Sequence, residues 1–382
     1  MKKILTVIGA RPQIIKAAAI SRAIKNLFSD QLKEIIVHTG QHYDDNMSAI
    51  FFEELGIPNP QFNLNVGSGS HGLQTAKMIE GMEKLMIEEK PDGIVIYGDT
   101  NSTIAAALAA SKIHIPVFHI EAGLRSFNKS MPEEVNRILS DHISTLLFCP
   151  TQTAIDNLVK EGFSMNNEHI PSVDNPHVHL CGDIMYDNSM YFSDVSDQKS
   201  RILEEINVLD KNYILVTIHR NANTDDAIRL NEIFNALIYI QNTTGFDIVL
   251  PLHPRTNKMM DQLLTVENKA LLKDNKNIKI IPPAGFLDII SLEKNASLII
   301  TDSGGLQKEA YFFKKPCVIL RPETEWVEIV ENGNAIIADA DQQKIVNAAN
   351  QLLTHKEFSF PNLFGDAKAS EFIVQKIVDC IN

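Results

Sequence analysis

Short runs of Val, Ile and Leu alternate with stretches of helical periodicity along almost all of the 382 residues, and a chain patterned this way builds parallel sheets covered by helices on both faces. In the first half the runs place strands at residues 4–8, 34–38, 93–97, 117–120 and 146–149, each followed by a helix. Residues 163–188, with Pro171, Pro176 and Gly182, read as the crossing between domains and include a last strand at 179–181. Strands resume at 213–217, 247–250, 278–281, 298–301 and 317–320. A chain this long exceeds what one hydrophobic core covers. The reading is therefore α/β, with two doubly wound, Rossmann-like domains facing a cleft: residues 1–175, and residues 176–365. The amphipathic C-terminal stretch, 366–382, is expected to pack back on the first domain.

Two strand-to-helix turns share one grammar. In Ile8-Gly9-Ala10-Arg11-Pro12 an apolar strand turns into a helix that opens on proline, which has no N–H to leave unpaired. In Thr301-Asp302-Ser303-Gly304-Gly305 a buried-type strand passes through glycines into a second helix. Helix starts beyond the carboxyl ends of parallel strands hold anions, and Arg11 and Lys16 add full charge to the first. Either turn alone is as well read as an ordinary connection. Together they favour one anionic ligand.

Composition bounds the partners. The formal net charge is −13 and no Lys/Arg stripe is present, which argues against nucleic acid. Cys149, Cys181, Cys317 and Cys380 are widely spread, with no metal-ligand spacing, and fit reduced thiols of the cytoplasm. Met1-Lys2-Lys3 and its five-residue apolar run are too short for a signal peptide, and no stretch is long enough to span a membrane.

Three acids are expected at the carboxyl edge of the first sheet. Asp99 follows the strand ending at Tyr97-Gly98, Glu121 follows Ile120, and Glu133 opens a helix behind Pro132. Each has a plain structural reading: Asp99 as an N-cap, Glu121 as the partner of Arg125, Glu133 as a dipole-stabilising residue. Carboxylates crowded in a dry site push one another's proton affinities apart, so that one accepts a proton while another donates. In the second domain His219-Arg220 and His253-Pro254-Arg255 end successive strands as phosphate contacts or proton carriers, and Glu309 is suited to accept two ribose hydroxyls.

Gly9-Ala10-Arg11-Pro12, Thr39-Gly40-Gln41-His42, Gly98-Asp99-Thr100, Glu121-Ala122-Gly123-Leu124-Arg125, Pro132-Glu133-Glu134-x-Asn136-Arg137, Asp302-Ser303-Gly304-Gly305-x-Gln307-x-Glu309 and Arg321-x-x-Thr324-Glu325 resemble the UDP-N-acetylglucosamine 2-epimerase family over nearly the whole chain. The resemblance implies a fold of the glycosyltransferase B type, a UDP-sugar substrate held mainly by the second domain, no metal or nicotinamide cofactor, and a homodimer. It assigns Asp99, Glu121 and Glu133 to catalysis with His219 assisting. UDP-sugar contacts fall on Arg11, Lys16, Arg137, Arg220, Ser303, Gly304, Gly305, Glu309 and Arg321. The implied reaction is non-hydrolysing epimerisation at C2, by loss of UDP to a glycal and re-addition, in surface-polysaccharide synthesis.

Three departures from the family pattern point to the branch acting on UDP-2,3-diacetamido-2,3-dideoxyglucuronate. Gln13 stands where Glu is usual, Trp326-Val327-Glu328 stands where Arg-Pro-Glu is usual, and the loop Ser126-Phe127-Asn128-Lys129-Ser130-Met131 is short. Lys129 or Arg125 would meet the sugar carboxylate. Tyr43-Asp44-Asp45-Asn46-Met47 argues against allosteric activation by a second UDP-sugar. The rival readings are a hydrolysing epimerase and a glycosyltransferase of the same fold.

Overall fold

A computed structural model of the protein describes residues 1–41, 56–252, 254–355 and 357–382. The chain divides into two compact units, Met1–Asn188 with Asn362–Asn382, and Ser189–Pro361. The division falls inside the helix Ile184–Lys199, beyond the expected 175/176 boundary, because the strand His177–Leu180 pairs with Leu146–Cys149 and completes the first sheet.

Among the described residues the first unit holds seven parallel strands: β1 (Lys2–Ile8), β2 (Leu32–His38), β3 (Phe62–Asn63), β4 (Gly93–Tyr97), β5 (Val117–Ile120), β6 (Leu146–Cys149) and β7 (His177–Leu180). Their order is β3-β2-β1-β4-β5-β6-β7. The chain thus winds outward from β1, returns, and winds the other way from β4. Ile94, Val95, Ile96 and Tyr97 have no exposed surface, as expected of a strand covered on both faces. The C-terminal helix Ala369–Ile381 packs against Arg11–Leu27. The Asp187 carboxylate anchors its start, accepting from the backbone N–H groups of Ala369 at 3.1 Å and Ser370 at 2.7 Å.

The second unit repeats the plan with β8 (Tyr213–Thr217), β9 (Asp247–Pro251), β10 (Ile278–Ile281), β11 (Leu298–Thr301), β12 (Cys317–Ile319) and β13 (Ala335–Ile337), ordered β10-β9-β8-β11-β12-β13 and all parallel. Its core runs continuously from Ile214 and Val216 through Phe234 and Leu237 to Ile345 and Leu352. The winding reverses between β1 and β4 in one sheet and between β8 and β11 in the other. Open parallel sheets bind ligands at such switch points, outside the carboxyl ends of the strands. Among the described residues, no helix is long and apolar enough to cross a membrane.

Candidate active site

At the first switch point, β1 delivers Gly9 and β4 delivers Gly98-Asp99. A Cβ on Gly9 would collide with the side chains of Ser102 and Thr39, so the packing of the fold itself demands glycine there. Gln13 locks the two turns together. Its side-chain oxygen accepts from the N–H of Gly9 at 2.8 Å and of Ala10 at 3.2 Å. Its amide nitrogen donates to the Tyr97 carbonyl at 2.8 Å and to the hydroxyls of Thr100 and Thr103. Arg11 stands exposed at the helix start.

The acids at this edge are not crowded together as bare charges. Lys16 donates to the Glu121 carboxylate, and Arg137 Nη2 donates to Asp99 Oδ2 at 2.6 Å. Glu121 leaves β5 with φ +69°, a left-handed conformation uncommon for a residue with a side chain. That turn takes Arg125 elsewhere. Its nearly inaccessible guanidinium pairs with Asp141 at 2.8 Å and Glu161 at 2.7 Å, so the expected Arg125–Glu121 pair is replaced by Lys16–Glu121. Glu133 lies exposed in the first turn of the helix Pro132–His142.

Behind these residues sits a buried support that no spacing announces. His119 places one ring nitrogen 2.7 Å from Asp141 and the other 2.9 Å from the Gly98 carbonyl. Asp141 also accepts from the Gly123 N–H at 3.1 Å. Burial pushes the Asp141 carboxyl up, but His119 and Arg125 outweigh it and hold the group below its ordinary value. The turns bearing Asp99 and Glu121 are thereby fixed from beneath.

At the second switch point Asp302 is the organiser. Its fully buried carboxylate accepts from the backbone N–H of His219 at 3.1 Å, of Arg220 at 3.0 Å, and from the Asn223 amide at 3.1 Å. It also lies 2.9 Å from His219 Nδ1, and that imidazole is half exposed. Burial raises the Asp302 carboxyl, yet these partners, His219 first among them, leave it lower than usual. Arg220 Nε donates to the Asp302 carbonyl at 3.0 Å. Ser303 caps the helix Gly304–Phe312 through Leu306 N–H at 3.4 Å. Here, unlike at Gly9, no described residue forbids a side chain: a Cβ on Gly304 would meet its nearest neighbour, Glu325, at 3.6 Å. These glycines open a helix, and the first N–H groups of a helix have no intrahelical partner.

In the loop after β12, Arg321 makes two 2.8 Å bonds to Glu325 of the same loop. Glu309 is half-buried on the helix Gly304–Phe312. Arg255 pairs with Asp225 at 2.6 Å and with Asn221. His253, His42 and Tyr43 through Met47 lie outside the described residues.

The profile of the UDP-N-acetylglucosamine 2-epimerase family matches residues 25–378. A UDP-N-acetylglucosamine 2-epimerase homolog of Methanococcus maripaludis is 46% identical, over 98% of both chains. The chain belongs to this family. A UDP-2,3-diacetamido-2,3-dideoxy-D-glucuronate 2-epimerase of Pseudomonas aeruginosa is likewise 46% identical over 98% of each chain. The crystal structure of the Methanocaldococcus jannaschii UDP-GlcNAc 2-epimerase in complex with UDP-GlcNAc and UDP has 41% identity and a TM-score of 0.81 over 99% of both chains, which places this epimerase among folds of the glycosyltransferase B type.

Within this family member the sequence motifs and the two switch points coincide. Asp302 and Glu134 lay inside those motifs without an assigned role, while Gln13 stood out only as a departure from the family pattern. Asp141 and His119 lay outside any role assigned from sequence. The one available signal for Asp302 was a carboxylate directly after a buried strand, a position that requires partners.

Proposed function

We propose that the protein interconverts the C2 epimers of a UDP-2-acetamido sugar without hydrolysing it. The observation that carries this reading is the pair of switch-point sites: a capped helix start with an Asp-held histidine on one sheet, and carboxylates paired with cations on the other. The first suits a nucleoside diphosphate. The second suits proton traffic.

The C2 hydrogen of such a sugar is too weakly acidic for a carboxylate to remove unaided. Cleavage of the C1–O bond, with its electron pair leaving on UDP, builds oxocarbenium character and acidifies C2. A carboxylate among Asp99, Glu121 and Glu133 takes that proton, leaving a 2-acetamidoglycal. Re-addition of UDP to C1, with a proton delivered to the other face of C2, gives the epimer. His219, Arg220, Arg321 and the Ser303-Gly304-Gly305 turn stabilise the charge growing on UDP, an electrostatic effect of about 3 kcal/mol per well-placed donor. Arg11 and Lys16 add charge, and Glu309 receives the ribose hydroxyls.

The relative that acts on an acidic sugar supports UDP-2,3-diacetamido-2,3-dideoxyglucuronate as substrate. Lys129, exposed on its loop, is the cation for the sugar carboxylate; Arg125 is buried against Asp141 and Glu161. A homodimer, a cytoplasmic location and supply of a surface polysaccharide complete the proposal.

The test is incubation in D2O with this sugar nucleotide and with UDP-N-acetylglucosamine, followed by proton NMR. Both C2 epimers and deuterium at C2 are expected, without accumulating UDP. Stoichiometric free UDP would establish the hydrolysing reaction instead, and turnover of UDP-N-acetylglucosamine alone would reject the acidic-sugar preference.

A further inference from the structure

We propose that Glu134, the neighbour of the expected catalytic Glu133, is a positioning residue that acts on Asp99 through Arg137; the role rests on the epimerase reading above. The Glu134 side chain is 1% exposed, and a buried carboxylate is tolerated only when its oxygens are fully partnered. Here they are. Oε2 accepts from the Ser126 N–H at 2.9 Å and from Arg137 Nη1 at 2.9 Å, and Oε1 accepts from the Phe127 N–H at 2.9 Å. Burial raises this carboxyl, but the two amides and the guanidinium outweigh it and leave it below its ordinary value.

Arg137 is thereby oriented. Its second terminal nitrogen donates to Asp99 Oδ2 at 2.6 Å, and the Asn136 amide, one position earlier, donates to the Asp99 carbonyl at 3.0 Å. The helix Pro132–His142 therefore grips both the side chain and the backbone of Asp99. With Nη1 on Glu134 and Nη2 on Asp99, the guanidinium bridges two carboxylates. This is a different assignment from a phosphate clamp, and it gives Glu134 a function in the reaction without contact with the sugar.

Glu134→Gln turns an amide N–H2 toward groups that themselves donate, and so loosens Arg137. Glu134→Gln, Arg137→Gln and the double variant are compared by kcat and KM for C2 epimerisation, with UDP affinity from intrinsic fluorescence and folding from thermal unfolding. Each single variant is expected to lower kcat about 10- to 100-fold, with KM and UDP affinity within about threefold. The double variant is expected to be no slower than Arg137→Gln alone, because both changes break one chain of contacts. Additive losses in the double variant would overturn the proposal. So would an Arg137→Gln protein that keeps kcat but binds UDP tenfold more weakly. Should Glu134→Gln fail to fold, Arg137→Gln carries the test, since Glu134 then keeps both amide partners. No C2 exchange in the unsubstituted protein would refute the epimerase reading, and this role with it, before any variant is compared.

Discussion

Trp326 donates its indole N–H to the Gly304 carbonyl at 3.0 Å. The Lys308 ammonium lies 4.1 Å from the centroid of the same ring, and the ring is almost wholly buried. The loop after β12 is thus fastened to the helix start assigned to the diphosphate.

This contact makes the site observable, because Trp326 is the chain's single tryptophan. A ligand at Ser303-Gly304-Gly305 must alter the surroundings of the indole. Titration with UDP is expected to give a saturable change in emission intensity or wavelength. Binding seen by calorimetry with fluorescence unchanged would place the nucleotide away from this turn.

Asp302 holds His219, and exchanging its carboxylate for an amide tests that hold. Asp302→Asn turns an N–H2 toward groups that already donate, so the imidazole loses its orienting charge. A loss of about 100-fold or more in kcat/KM is expected, by analogy with other histidines that depend on a buried aspartate. Stability should follow a defined pH course. The native carboxyl titrates lower than the free one, so its contribution is complete above about pH 4 and fades as pH falls through the folded value. The gap in unfolding free energy between the two proteins should therefore be full at pH 7 and close in acid. A gap that does not change with pH would show that Asp302 acts through packing alone.

Much of this architecture was legible from the sequence, and what was not has identifiable causes. Strands β4, β5, β6, β8 and β11 begin and end where their apolar runs do, because a strand covered on both faces is apolar almost throughout; the bounds of the edge strand β10 match as well, although it carries Lys279. The edge strands Phe62–Asn63 and Ala335–Ile337 went unread, being too short to show a pattern. Site residues close to the turns were visible as motifs, but their partners were not. Arg125 lies near Glu121 in the chain, yet the positive φ at Glu121 diverts it to Asp141. Lys16 takes its place from the helix Arg11–Leu27 that follows β1, with β4 between β1 and β5 in the sheet. Ion pairing is decided by where backbones leave the strands, and sequence distance carries little of that information.

Gln13 offers a sharp test of how the first switch point is held. It is 2% exposed and works as donor and acceptor at once, with Nε2 on the Tyr97 carbonyl and Oε1 on the Gly9 N–H. Gln13→Met keeps the length of the side chain but removes the acceptor of the Gly9 N–H and the donor to the Tyr97 carbonyl in a buried site. A loss of about 2–4 kcal/mol in urea unfolding is expected, along with weaker activity as the β1 and β4 turns separate. A loss below about 0.5 kcal/mol would mean that the amide contributes little.

The Glu293 carboxyl is shifted in the opposite direction from that of Asp302. Its side chain, on the helix Phe286–Asn295, has no exposed surface, and neither oxygen has a hydrogen-bond partner among the described residues. Burial, reinforced by the charge of Glu309, raises the carboxyl far above its ordinary value, so the folded protein holds Glu293 as the neutral acid. The unfolded chain releases that proton above about pH 4.3. The folded state then binds more protons than the unfolded one, and stability falls with rising pH by about 1.4 kcal/mol per unit until the folded group also ionises. Glu293→Met removes this liability at similar volume. The variant should match the unsubstituted protein near pH 4 and unfold at a higher temperature at pH 7 to 8, the gap widening between those values. Equal melting temperatures across that range would show that Glu293 is ionised and partnered in the native protein.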